Sequence, residues 1–150
     1  MLTQQANEIT QKWETKSKVA VQILAQPGML RDSLTMLLSS FEFVSVVGKA
    51  DCARNCLEEI ELIQADIVLS ACSSMAECER LMGRLQRVQS KIKCIVITDG
   101  FQSSKMAMEL GADAALIKGF TSQDLMQVLR WVAFQHSSTA SDKGVKKNND

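Results

Sequence analysis

Short apolar runs alternate with stretches of helix-like spacing between residues 19 and 136. The runs are rich in Val, Ile and Leu and are four to six residues long, which is typical of buried strands. Between them, apolar residues recur three and four positions apart, which predicts helices. The predicted strands are 19–24, 43–47, 67–70, 94–98 and 114–117. The predicted helices are 29–41, 51–63, 75–88, a fourth that begins at Ser103 or Ser104 and stops at Gly111, and 121–136.

Five strands alternating with five helices predict one α/β domain over 19–136, a doubly wound five-stranded parallel sheet with helices on both faces. A polar extension, 1–18, precedes it. The extension is either a frayed segment or a helix that docks on the domain or on a second subunit. The tail 137–150 has almost nothing apolar to bury and is expected to be disordered. The narrow helical stripe of the extension consists of Leu2, Ala6, Ile9 and Trp13.

Composition argues against several classes of function. The chain has 46% hydrophobic residues, and its 17 basic and 17 acidic residues cancel, so bulk charge favours neither nucleic acid nor membrane binding. The start is polar, unlike a signal peptide, and no apolar run is long enough for a membrane span. The five cysteines form no C-x-x-C pair. Reduced thiols and a cytoplasmic location are therefore expected.

The third predicted strand ends in small residues where chemistry is expected. In an open parallel sheet the carboxyl ends of the strands face the crevice that binds ligands. Here the chain continues as Ala71, Cys72, Ser73 and Ser74, with no acid, His or Lys. No glycine-rich phosphate-binding loop follows any strand. Cys72 is interpreted as an inert thiol rather than a redox-sensitive one, which would need a depressed pKa.

Four segments of the chain match one known family. The first runs VQILAQPGMLRDSL from Val21 to Leu34, and the others are VVGKA at 46–50, ADIVL at 65–69 and GADAALIK at 111–118. These segments resemble the receiver domains of bacterial response regulators, above all those that precede a helix-turn-helix domain. The resemblance covers all of 19–136 and implies a flavodoxin-like sheet of strand order 2-1-3-4-5.

The resemblance also implies a site. A working receiver phosphorylates an Asp at the end of strand three and holds magnesium with that Asp and an acidic pair after strand one. A hydroxyl on strand four and a Lys on strand five contact the phosphoryl oxygens. By position, the acidic pair falls on Ala25 and Gln26, the phosphoacceptor on Ala71, the hydroxyl on Thr98, the Lys on Lys118, the aromatic switch residue on Ala115, and a frequent Pro on Gly119.

Only Thr98 and Lys118 match the family pattern. The family site carries roughly −2 before magnesium binds, and the aligned positions here carry about +1, from Lys118 alone. Magnesium needs carboxylate oxygens, and Ala71 is not a nucleophile. The alignment therefore excludes a metal site and aspartyl phosphorylation. Asp99 is the one acid expected near the carboxyl ends of these strands. We expect it either to pair with Lys118 or to cap a turn.

We therefore predict a non-phosphorylatable receiver-like module that acts by protein–protein contact in a two-component-type or transcription-regulatory pathway. The resemblance places the contact face on the fourth helix, fifth strand and fifth helix, about 101–136, for another signalling protein or a second copy. We expect no enzymatic activity and no cofactor. DNA binding by this chain is not expected, because only fourteen residues follow His136 and a helix-turn-helix domain cannot fit in them. The alternative is a sensor that binds a small anion or metabolite through Thr98, Lys118, Ser73 and Ser74.

Overall fold

The computed structural model describes residues 18–51, 64–87 and 92–134. Its strands are β1 (Val19–Leu24), β2 (Val44–Ala50), β3 (Ile67–Ala71), β4 (Lys93–Thr98) and β5 (Ala114–Ile117). Its helices are α1 (Met29–Ser39), α2 (Met75–Arg87), α3 (Phe101–Glu109) and α4 (Ser122–Phe134). The predicted helix 51–63, the extension 1–18 and the tail 137–150 lie outside the described residues, apart from Lys18 and Asp51 at their edges.

All strands pair in parallel in the order β2-β1-β3-β4-β5. The predicted parallel sheet and strand order are therefore confirmed. Strand β2 continues three residues past its predicted end at Val47. A bulge lies there, because Val21 pairs with Val46 and the next residue, Gln22, pairs with Gly48. An edge strand accommodates Gly48 at such an irregularity without ending.

Helices cover both faces of the sheet, and each face has its own apolar layer. Helices α1 and α4 bury one stripe each against the first face, and α2 and α3 do so against the second. The predicted helical pattern included Met29 and Leu30, but both side chains are exposed, so α1 buries a narrower stripe. The buried helix residues are Leu34 and Leu38 of α1, Cys78, Leu81, Met82 and Leu85 of α2, Ala107 of α3, and Leu125, Leu129 and Val132 of α4.

The ends of α3 and α4 show how local chemistry sets helix limits. Helix α3 begins at Phe101, before the predicted serines, because the Ser104 N–H already donates to the Gly100 carbonyl at 3.0 Å. It stops as predicted at Gly111, whose φ of +115° suits glycine. The capping box predicted ahead of α4 is confirmed. The Asp124 N–H donates to Thr121 Oγ1 at 3.0 Å, and the Thr121 N–H donates to Asp124 Oδ2 at 3.0 Å.

No helix in the described part of the chain is long and apolar enough to cross a bilayer.

Candidate functional site

The carboxyl ends of β1, β3, β4 and β5 meet along one edge of the sheet. The pairing register places Leu24 beside Ser70, Ala71 beside Ile97, and Thr98 beside Ile117. The Lys118 N–H donates to the Thr98 carbonyl at 2.8 Å. The residues that the alignment selected therefore share this carboxyl edge, which follows from parallel pairing. They are Ala25, Gln26, Ala71, Thr98 and Lys118.

Two of these positions are occupied by apolar packing. Ala25 is 2% exposed and belongs to the apolar layer under α1 and α4, and the partly buried Ala71 packs against the same layer. The Ala25 N–H donates to the Ala50 carbonyl at 2.9 Å, which extends the β1–β2 pairing by one residue. Gln26 is exposed. Ala25 and Ala71 therefore carry no side-chain oxygen into this edge.

The two matching residues, Thr98 and Lys118, have partners within the chain. Lys118 Nζ lies 2.9 Å from Asp99 Oδ1, which confirms the expected pairing of Asp99. The Thr98 hydroxyl donates to the Gly100 carbonyl at 3.2 Å. Lys118 and Asp99 together carry a charge near zero, instead of the +1 expected from Lys118 alone. Both ends of the ion pair are largely exposed, so the pair adds little stability.

The turn between β3 and α2 is held by an N-cap and a return hydrogen bond, related to a capping box, that the sequence analysis missed. The Glu77 N–H donates to Ser74 Oγ at 3.2 Å, and the Ser73 N–H donates to Glu77 Oε1 at 3.1 Å. The spacing Ser74-x-x-Glu77 is the sequence signal that identifies it. These contacts weigh against the predicted anion site, because Ser74 and the Ser73 amide already serve the helix, and Glu77 brings negative charge close to them.

Three thiols of the described residues, Cys72, Cys78 and Cys94, belong to the apolar layer that α2 and α3 cover. Ser70 Oγ and Cys72 Sγ are 3.2 Å apart, and Cys72 packs into the apolar layer that contains Cys78 and Cys94. A hydrogen bond with Cys72, and then burial, raises the pKa of the Cys78 thiol well above its ordinary range. Burial, followed by the nearby Cys72 and Asp113, raises the pKa of Cys94. The spacing of these cysteines has no motif, so the sequence analysis did not find the cluster.

Comparison with known proteins identifies the fold. No protein-family model matches the chain. It is similar to the response regulator GacA of Pseudomonas aeruginosa, with 29% identity over 122 residues, covering 76% of this chain and 55% of that protein. Its structure superposes on the receiver domain of the putative response regulator NarL from Mycobacterium tuberculosis with a TM-score of 0.70 and 22% identity, covering 78% of this chain and 97% of the other. The domain has the fold of a response-regulator receiver.

A second solved receiver supports the same fold. The receiver of RcsB from Salmonella enterica serovar Typhimurium, solved with a phosphomimetic beryllium fluoride, gives a TM-score of 0.66 at 16% identity. The match covers 75% of this chain and 86% of that one. The chain covers about half of GacA, so its likeness concerns one part of that protein.

The magnesium ion that the receiver fold implies does not fit the residues at this carboxyl edge. Ala25 and Ala71 have no donor atoms, and the carboxylate of Asp99 is paired with Lys118 at 2.9 Å. Across the described ranges, no group of three or more His, Cys, Asp or Glu side chains is arranged to hold a metal. A hard divalent cation needs several oxygen ligands with net negative charge.

Strand β5 and the turn after it carry the two remaining receiver positions. Ala115, at the expected place of the switch aromatic, pairs in register with Val96 and is partly buried. Gly119, at the expected place of Pro, has a φ of +100°. The proline ring fixes φ near about −65°, so this turn has a backbone that proline cannot adopt. The chain therefore differs from the family pattern in backbone as well as in side chains here.

Proposed function

We propose that this receiver domain signals without aspartyl phosphorylation, by binding another signalling protein or a second copy of itself. The pathway is of the two-component or transcription-regulatory type. The main support for the proposal is the set of residues at the carboxyl edge of the sheet. Ala25, Gln26 and Ala71 stand where a receiver has carboxylates, and the nearby Asp99 carboxylate is committed to Lys118 at 2.9 Å.

Phosphoryl transfer explains why these substitutions matter together. The reaction needs a nucleophile in line with the phosphorus and cations that neutralise the charge developing on its oxygens. The methyl group of Ala71 supplies no nucleophile, and an edge of near-zero charge does not attract magnesium. Restoring one group alone would leave the other requirement unmet. In this domain the nucleophile and the metal site are therefore lost together.

A surface for binding is available on α3, β5 and α4. Strand β5 is one of the two edge strands of the sheet, with α3 packed on one face and α4 on the other. Phe101 is 78% exposed, and Ile117 is 39% exposed. Aromatic and aliphatic groups of this kind are the usual anchors of protein interfaces. Solved relatives supply an analogy, since two RcsB dimers bind two parallel DNAs in one structure.

Phosphorylation can be measured directly by incubating the chain with acetyl phosphate and magnesium and recording its intact mass. We expect no phosphoryl adduct on the wild type. The matched variant Gln26→Asp/Ala71→Asp restores two carboxylates at exposed or partly exposed positions, and we expect it to gain a hydroxylamine-labile adduct. A labile adduct of this kind on the wild-type chain would contradict the proposal.

A further inference from the structure

Helix α2 carries a line of three arginines on the side opposite to its buried residues. Arg80, Arg84 and Arg87 lie four and three positions apart, and all three are exposed. Residues at this spacing are neighbours along one side of a helix. With a rise of about 1.5 Å per residue, the line is about 10 Å long. We call these three residues the arginine stripe. The side of α2 that packs on the sheet consists of Cys78, Leu81, Met82 and Leu85.

No acidic side chain of the described residues forms an ion pair with the arginine stripe. The ion pairs in that part of the chain join lysines to aspartates. Glu77, three positions before Arg80, accepts a hydrogen bond from the Ser73 N–H at 3.1 Å. Glu79 is next to Arg80 in the sequence and therefore lies on a different side of the helix. Like charges three and four positions apart repel one another, so the stripe presents positive charge that these residues do not offset.

The helix dipole accounts for only part of the stripe. Basic side chains near the carboxyl end of a helix are favourable, which suits Arg84 and Arg87 in the last turn of α2. The effect fades beyond the last turn, and Arg80 lies in the middle of the helix. One anionic partner placed along α2 would account for all three arginines.

We propose that the arginine stripe binds an acidic helical segment of a partner protein, with carboxylates three and four positions apart along one side. The guanidinium group presents paired N–H donors that match the two oxygens of a carboxylate. A helix in the partner repeats its side chains at the same intervals as α2, so its carboxylates can meet the arginines in register. This contact is independent of the proposed signalling surface on α3, β5 and α4, because it uses a different helix.

The charges of the chain favour an acidic protein segment over nucleic acid. The 17 basic and 17 acidic residues cancel, so the chain as a whole does not attract a long polyanion. Nucleic acid binding draws on many phosphates, about six to ten in strongly salt-dependent complexes, and the stripe offers three cations. Glu77 and Glu79 would also repel a phosphate backbone that extends past Arg80. A short acidic helix needs no more than the stripe supplies.

Fluorescence anisotropy of a labelled alanine-based peptide, with Glu three and four positions apart, measures the contact with the full chain. In about 0.05 M salt, where charges are only partly screened, we expect saturable binding to the wild type. The variant Arg80→Gln/Arg84→Gln/Arg87→Gln should weaken binding at least about tenfold, because it removes every guanidinium group of the stripe. Glutamine has a helix propensity close to that of arginine, and an unchanged circular dichroism spectrum verifies the fold.

The matched control is Lys18→Gln/Lys49→Gln/Lys105→Gln, which removes the same charge from three exposed positions outside α2. We expect it to weaken binding by less than about threefold, since distant charges act through solvent and salt. Equal losses in the two triple variants would overturn the proposal, because net charge alone would then attract the peptide. The same peptide with Gln in place of Glu should not bind.

Two further outcomes would also overturn the proposal. The first is a double-stranded oligonucleotide that binds more tightly than the peptide and loses its binding in the arginine variant, which would assign the stripe to nucleic acid. The second is a wild-type chain that does not bind the peptide. The acidic residues Glu58, Glu59 and Glu61 lie outside the described residues, and that result is expected if they neutralise the stripe within the chain.

Discussion

At the scale of single residues, Gln22 has an unexpected position, because a polar amide side chain is buried in the middle of the sheet. It occupies the middle of β1, between β2 and β3, and is 0% exposed. Within the described structure, neither its Oε1 nor its Nε2 has a hydrogen-bond partner. Its neighbours in register are Val68 and Gly48, which bring no polar side chain. Burying an amide without a partner costs about 1–3 kcal/mol.

Replacing Gln22 with Met should therefore stabilise the domain, because methionine fills a similar volume without the polar atoms. We expect the free energy of unfolding of Gln22→Met to rise by about 1–2 kcal/mol, measured by urea denaturation. Gln26→Met is the matched control, since Gln26 is exposed and should change stability by less than about 0.5 kcal/mol. A destabilised Gln22→Met would show that the amide has a role that its contacts do not reveal.

At the scale of elements, two aspartates pin the amino-terminal edge of the sheet. The Asp66 N–H donates to the Ala20 carbonyl at 2.8 Å, and the Ala20 N–H donates to Asp66 Oδ2 at 2.9 Å. Asp113 repeats the arrangement with Cys94, at 2.8 Å in both directions. Each carboxylate thus satisfies a backbone donor at the start of a neighbouring strand. These acids set strand register at the edge opposite to the candidate site.

Removing the Asp113 carboxylate should loosen the pairing of β4 and β5. Asp113→Ala leaves the Cys94 N–H without its acceptor, and a hydrogen bond to a charged group contributes about 1.5–3 kcal/mol. We expect the free energy of unfolding to fall by about 2 kcal/mol in the same denaturation assay. Asp99→Ala breaks only the exposed pair with Lys118 and should cost under about 1 kcal/mol. Equal losses in the two variants would contradict this account.

At the scale of the whole molecule, exposed apolar side chains lie on α1 as well as on α3, β5 and α4. Phe101 stands at the start of α3, and Ile117 at the end of β5. Met36, on α1, is 75% exposed. The contact region 101–136, made up of α3, β5 and α4, stays a prediction. Met36 provides a comparison of similar exposure outside that region.

If the chain associates with itself through the α3, β5 and α4 surface, Phe101→Glu should weaken that association by at least tenfold, about 1.4 kcal/mol. Glutamate in the first turn of a helix is compatible with the helix dipole, so the fold should be unaffected. Sedimentation velocity of the full chain measures the effect, with Met36→Glu as the control of similar exposure. A dimer lost in Met36→Glu and retained in Phe101→Glu would place the interface on α1 instead.

Local patterns were sufficient for most of the fold. Strands β1 and β5 have the predicted bounds, and Thr121 and Asp124 cap α4 as predicted. Such features depend on residues a few positions apart, and the apolar period and capping chemistry report them directly. The predicted end of β2 at Val47 was wrong, because a strand at a bulge continues through Gly48 when its neighbour supplies the hydrogen bonds.

The sequence by itself determined the alternation of strands and helices and the small apolar residues at Ala25 and Ala71. The alternation can be identified from residues a few positions apart, and the two alanines can be identified from the segments around them. Only the tertiary structure decided which of its two expected roles Asp99 takes, that Gln22 is buried without a partner among the described residues, and that Cys72 Sγ lies 3.2 Å from Ser70 Oγ. Each of these depends on distances between side chains from different elements or across a turn. Periodicity determines which face a residue occupies, and packing determines which atoms it meets there.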